Sequence, residues 1–197
     1  MAARRRPVHD ERRGDGVDPV VPPLVARSRA DARRLDFERC STDEVGRLLH
    51  VLAGRRGIER VAEIGTGTGT GTAWLAAALA PGTPLFSAVA DPVLADAAAA
   101  LFADDPDVHV LRGDWRSVLA PHAPFDLVFA DGGRAKDDPD AVLGLAAPGA
   151  TVVLDDFSAD WPRPDERRER WLAHPRVTAV ELGTGDGRTA IVAVVRR

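Results

Sequence analysis

The 197-residue chain has no tyrosine, one methionine and one cysteine, and asparagine and glutamine are missing altogether. With Cys40 alone no internal disulfide can form, so a reducing, cytoplasmic setting is expected. No apolar run approaches the ~18–20 residues of a membrane span. The basic start, Met-Ala-Ala-Arg-Arg-Arg-Pro, is not followed by an apolar segment, which argues against a secretory signal and a membrane partner. Net charge is −4, the wrong sign for wholesale phosphate-backbone binding, so no nucleic-acid partner is expected. Lysine is also nearly absent, with Lys136 standing against 25 arginines. Coding bias explains the ratio in general, but it makes this one lysine conspicuous.

What is present is a globular composition, 45% hydrophobic and 28% charged, in a length that suits one α/β domain. Residues 1–22 mix arginines with acids, glycines and prolines and lack apolar periodicity, so a disordered tail is expected there. The domain then runs over 23–197, with amino-terminal helices in 23–56 and a core in 57–197. A first helix is expected over Leu24–Phe37. A second begins at Ser41, where Ser41 and Glu44 have capping-box spacing, and Val45, Leu48, Leu49 and Leu52 form its apolar stripe.

Strands and helices alternate from there. Strands are expected at Arg60–Ile64, Leu85–Val89, Val108–Leu111, Asp126–Ala130 and Thr151–Leu154. Helices are expected at Thr72–Leu79, Val93–Ala103, Asp138–Ala146 and Asp165–Leu172. Val177–Leu182 and Thr189–Val195 flank a glycine-rich turn and read as a hairpin. The pattern predicts an α/β fold: a Rossmann-like, seven-stranded, mostly parallel sheet, helices on both faces, closed by an antiparallel hairpin. Ligands of such sheets bind at the carboxyl ends of the strands.

The strongest motif follows the first strand: Glu63-Ile64-Gly65-Thr66-Gly67-Thr68-Gly69-Thr70-Gly71-Thr72. Alternating glycines let the backbone approach a ligand, and the next helix offers free N–H groups. A plain turn needs fewer glycines. A dinucleotide fingerprint, G-x-G-x-x-G, fails from each start, its last place falling on Thr70, Thr72 or Trp74. The remaining pattern, acid-x-G-x-G-x-G, resembles motif I of the class I S-adenosylmethionine-dependent methyltransferases. That resemblance implies a loop around the methionine part of the cofactor, with Glu63 near its ammonium and Gly65, Thr66, Gly67, Gly69 and Thr70 as cofactor contacts.

Two later segments narrow it. Phe125-Asp126-Leu127-Val128-Phe129-Ala130-Asp131 is followed by Pro148-Gly149-Ala150-Thr151-Val152-Val153-Leu154-Asp155-Asp156. Together they resemble the catechol O-methyltransferase-like family of small metal-dependent O-methyltransferases, over roughly residues 40–197. The resemblance implies methyl transfer to a hydroxyl of a small molecule, with Mg²⁺ or another divalent cation held by Asp131, Asp155 and Asp156, where relatives carry Asn in the third place. Independently of it, Asp131 and Asp155 end apolar strands at the ligand edge, and carboxylate oxygens suit Mg²⁺. Asp155 or Asp156 could instead cap a turn or helix, and Asp131 too could be purely structural. A metal-independent methyltransferase and a non-catalytic cofactor-binding protein stay open as alternatives. So does a homodimer.

Several positions depart from the family pattern. Relatives end the second strand in an acid that binds the ribose; here Val89 stands, and Asp91 is the candidate substitute, unless it only caps the next helix. In Arg112-Gly113-Asp114-Trp115 after the third strand, Asp114 matches a position that contacts the adenine amino group in relatives, unless it only caps a helix, and Gly113 and Trp115 beside it are expected cofactor contacts. The resemblance places the general base three residues after Asp131, but Arg134 stands there, and a guanidinium cannot serve as a base. Lys136, two residues further, is the candidate catalytic base beside Asp131, although Asp137 and Asp138 next to it would favour its charged form. The five histidines lack ligand spacing. Cys40 reads as a small buried hydrophobe, and Trp161 as a substrate wall or a loop anchor.

Overall fold

The computed structural model describes residues 21–160, 164–185 and 187–197. The expected disordered tail lies almost wholly outside the described residues, as does Trp161.

Seven strands form one sheet: β1 (Val61–Ile64), β2 (Leu85–Val89), β3 (Val108–Arg112), β4 (Phe125–Ala130), β5 (Ala146–Ser158), β6 (Val177–Gly183) and β7 (Arg188–Val195). Their order is β3-β2-β1-β4-β5-β7-β6. The first five run parallel, and β7 and β6 close the sheet as an antiparallel pair. The expected architecture is therefore the observed one.

Strand parity divides the core. Val61, Leu127, Phe129 and Val153 face one side, where they meet Val45 and Leu49 of α2 (Asp43–Ala53) and Leu75 of α3 (Thr70–Ala76). Ala62, Ile64, Val128, Val152 and Leu154 face the other. There they pack under Trp115 of α5 (Trp115–Val118), Val142 and Leu143 of α6 (Pro139–Leu143) and Trp171 of α7 (Glu166–Leu172). A third cluster joins Val25 of α1 (Pro23–Arg34) to Trp74 and to Leu101 and Phe102 at the end of α4 (Pro92–Leu101). Each fully buried large apolar side chain contributes roughly 1.5–3 kcal/mol.

Local chemistry moves several boundaries. The cap of α2 is Thr42, whose side chain accepts from Val45 N–H at 3.3 Å, and not Ser41. The helix α3 starts at Thr70, two residues before the expected place, because Gly69 takes a left-handed conformation and turns the chain at once. The strand β5 is far longer than Thr151–Leu154. Ala146 pairs with Phe125 at one end, and Phe157 and Ser158 pair with β7 at the other. That extension shortens α6, since the chain from Ala146 has joined the sheet.

Candidate active site

In the sheet order, β2 and β3 lie outward of β1, whereas β5 lies outward of β4. The loops leaving β1 and β4 therefore bound the crevice at the switch in strand order. They touch through their backbones. Gly65 has φ +101°, and a Cβ there would sit 2.6 Å from Cα of Gly132. Only glycine at both places lets the two loops pass this closely. Gly67, at φ +55°, faces Phe37, whose ring would lie 2.9 Å from an added Cβ.

These loops enclose a cavity of about 340 Å³ lined by Gly65, Gly67, Val89, Asp91, Leu94, Gly113, Asp114, Trp115, Asp131, Gly132 and Gly133, with Phe37 and Arg39 over it. The predicted Gly65, Gly67, Asp91, Gly113, Asp114, Trp115 and Asp131 are thus brought together. Asp91 also caps α4, its Oδ1 accepting from Val93 and Leu94 N–H at 2.8 and 3.0 Å. Asp114 caps α5 by accepting from Arg116 N–H at 2.8 Å. Trp115 is fixed by donating its indole N–H to the Gly133 carbonyl at 2.9 Å. Capping and cavity lining prove compatible, since one carboxylate oxygen serves the helix.

The other members of the glycine-loop set are not on this cavity. Glu63, Thr66 and Thr70 line a narrow adjoining cleft that shares Phe37, Arg39, Gly65 and Asp131 with the cavity. Glu63 is buried beneath α3 and accepts from the hydroxyls of Thr72 and Ser87. Burial still outweighs these bonds and pushes its carboxyl up to about 7. Thr66 shares a 2.7 Å hydrogen bond with Ser87, and Thr70 a 2.9 Å one with Ser28. Gly69 caps α3 and abuts Phe102. These residues support the loop through buried hydrogen bonds.

Asp131 and Asp156 line the cavity, and Asp155 and Lys136 act electrostatically on Asp131. Asp131 follows β4, and its buried Oδ1 has no hydrogen-bond partner among the described residues. Burial, with Asp155 as the next cause, raises its carboxyl well above the usual range. Asp155 is buried, and its carboxyl rises to about 6, again chiefly through burial. Lys136 lies on a short 3₁₀ turn, Ala135–Asp137, held by Trp171, whose indole donates to the Lys136 carbonyl at 3.1 Å. Its ammonium sits 5.4 Å from the Phe157 ring centroid and acts electrostatically on both Asp131 and Asp155. The adjacent acids are engaged elsewhere. Asp137 pairs with Arg134 at 3.0 Å and Arg167 at 2.5 Å, and Asp138 with Arg116 at 3.0 Å.

The three-carboxylate metal set does not assemble. Asp156 takes φ +59° and pairs with Arg188 at 2.6 Å. Among the described residues no three His, Cys, Asp or Glu side chains converge as a metal site. The residues present therefore do not fit the expected magnesium cage, although they do fit a small adenosyl cofactor: a glycine cradle, an apolar wall at Val89, Leu94 and Trp115, and a carboxylate rim.

A wider, more open chamber of about 570 Å³ adjoins the cavity. It is lined by Glu38, Arg39, Cys40, Thr42, Asp156, Phe157, Ser158 and Arg188, and shares Arg39 and Asp156 with its neighbour. Sequence reasoning missed Phe37, Arg39, Gly132 and Arg188. The Gly132-Gly133 pair was visible as a loop; its contact with Gly65 needed the sheet order. Nothing in the sequence links Arg188 to Asp156.

Residues 62–157 match the family Methyltransf_24, described as a methyltransferase domain. No curated protein matches the chain significantly. Among solved structures, the chain is similar to the O-methyltransferase TomG of Streptomyces achromogenes, solved with S-adenosylmethionine. The identity is 29% and the TM-score 0.73, over 89% of this chain and 90% of that one. A cofactor-bound protein from MTB, Rv0187, is 26% identical with TM-score 0.74, over 89% and 90% of the two chains. The Bacillus cereus O-methyltransferase, at 23% identity and TM-score 0.75 over 91% and 94%, shares the fold. No helix among the described residues is long and apolar enough to cross a membrane.

Proposed function

We propose that this class I S-adenosylmethionine-dependent methyltransferase methylates a hydroxyl of a small molecule bound where its two chambers meet. The observation that carries the reading is the glycine-cradled cavity, with Asp131 on its wall, adjoining the wider chamber at Arg39 and Asp156. S-adenosylmethionine, when bound, supplies an electrophilic methyl group on a sulfonium. The chain's own residues do the rest. Gly65 and Gly67 admit the cofactor, Trp115 and Leu94 offer apolar contact, and Asp91 and Asp114 present acceptors to its hydroxyl and amino groups. The acceptor oxygen attacks in line, and holding it there lowers the entropic cost of the encounter. Its proton passes to Nζ of Lys136, acting as general base.

Of the two metal readings, the Asp156–Arg188 pair favours transfer without a metal, since it engages the third carboxylate. Activity should therefore persist in EDTA. Calorimetry should show S-adenosylhomocysteine binding and no NAD binding; the reverse would overturn the cofactor assignment. On an acceptor found by screening hydroxylated aromatics, Lys136→Arg should lower turnover by roughly 10²-fold or more. It should also leave cofactor affinity nearly unchanged. Wild-type turnover in that variant would remove Lys136 from the mechanism.

A further inference from the structure

We infer that Arg188 stands in for a cation at the acidic ends of β4 and β5: by holding Asp156 it keeps divalent metals out of a latent site formed by Asp131, Asp155 and Asp156.

The sheet delivers the arginine. The register between β5 and β7 shifts between Leu154 and Phe157, which leaves Asp155 and Asp156 outside the ladder. Beyond the shift the ladder resumes, and Ser158 pairs with Arg188. The guanidinium is thereby set two residues from Asp156 and donates to its Oδ1 at 2.6 Å. Asp156 answers with a left-handed backbone, φ +59°, rare outside glycine, asparagine and aspartate. Asp155 stays buried, its Oδ1 accepting the Asp156 N–H at 2.6 Å. Asp131 keeps a buried, unpartnered Oδ1 among the described residues.

All three acids thus stay near the crevice, but one of them, Asp156, is engaged by a positive charge. A guanidinium cannot shed its proton to make way. A hard divalent cation seeks oxygen ligands in near-octahedral array. Here it would lack the third ligand and face both Arg188 and Lys136. The pair is 52% and 38% exposed, so it adds little to fold stability. Its consequence is where Asp156 points, and removing the arginine should leave the fold intact.

The inference concerns the same site as the proposed methyl transfer but is read without any acceptor. Free Mn²⁺ would be titrated into the full chain by electron paramagnetic resonance, with S-adenosylhomocysteine affinity and thermal unfolding recorded in parallel. The wild type should bind Mn²⁺ no tighter than about 1 mM, and Arg188→Ala at least about tenfold tighter. Arg188→Gln should give the same gain and serves if the alanine variant is misfolded. Adding Asp156→Ala to either should erase the gain. Sub-millimolar binding by the wild type, no gain in the arginine variants, or a gain that survives loss of Asp156 would each overturn the inference. Failure to methylate any acceptor, by contrast, would sink the proposed function and leave the titration standing.

Discussion

Gly67 shows what a single missing side chain does in this fold. Its φ of +55° costs valine roughly 1–3 kcal/mol of strain, which a buried α/β core of this size can bear. The new side chain, however, would enter the space between the loop and Phe37, at the wall of the 340 Å³ cavity. Gly67→Val should therefore abolish S-adenosylhomocysteine binding in calorimetry while circular dichroism remains native. Gly65 is the harsher position. Its neighbour is backbone, Gly132, which cannot rotate away, so Gly65→Ala should lower the melting temperature more than Gly67→Val does. The reverse order would mean the β1 and β4 loops separate easily.

The elements carry the site through their ends. Caps decide where α2, α4 and α5 begin, and α4 and α5 place their capping acids, Asp91 and Asp114, on the cofactor cavity. The cap of α2, Thr42, lines the wider chamber instead. Thr42→Ala removes the acceptor for Val45 N–H and should cost ~1 kcal/mol in denaturant unfolding. Ser41→Ala should leave that cap in place, and equal losses in the two variants would contradict the assignment. The long β5 likewise matters through its far end, where one register shift releases Asp155 and Asp156 from the ladder. A strand ending at Leu154, as the apolar run suggested, would never have met Arg188.

For the molecule as a whole, the buried acids set the pH dependence. The Glu63 carboxyl is raised from 4.5 to about 7 and that of Asp155 from 3.8 to about 6, both mainly by burial. The folded chain therefore keeps protons that the unfolded chain has released. Their contribution to stability is full below the unfolded values and is lost as pH rises through 6 and 7. For Glu63 the loss is on the order of 3 kcal/mol. The melting temperature should fall between about pH 5 and 8, and Glu63→Gln should flatten that slope. An unchanged slope in the variant would show that Glu63 ionises freely in the native chain.

The sequence by itself determined the sheet and its closing hairpin, because alternating apolar strands and helices leave few ways to cover both faces. Strand ends and glycine turns, which are local features, also marked Gly65, Gly67 and Asp131 for the crevice, and the family resemblance added the Gly113–Trp115 segment. The sequence left open the partners of Glu63, Thr66 and Thr70; only packing decided those, by burying them against Ser28, Thr72 and Ser87. The fate of Asp156 lay further out of reach. Its partner is 32 residues away in the chain and arrives through the register of an antiparallel strand, so spacing along the sequence carries no trace of the pair. The tertiary structure alone turned an expected metal ligand into one half of an ion pair, because a fixed guanidinium from β7 meets the carboxylate first.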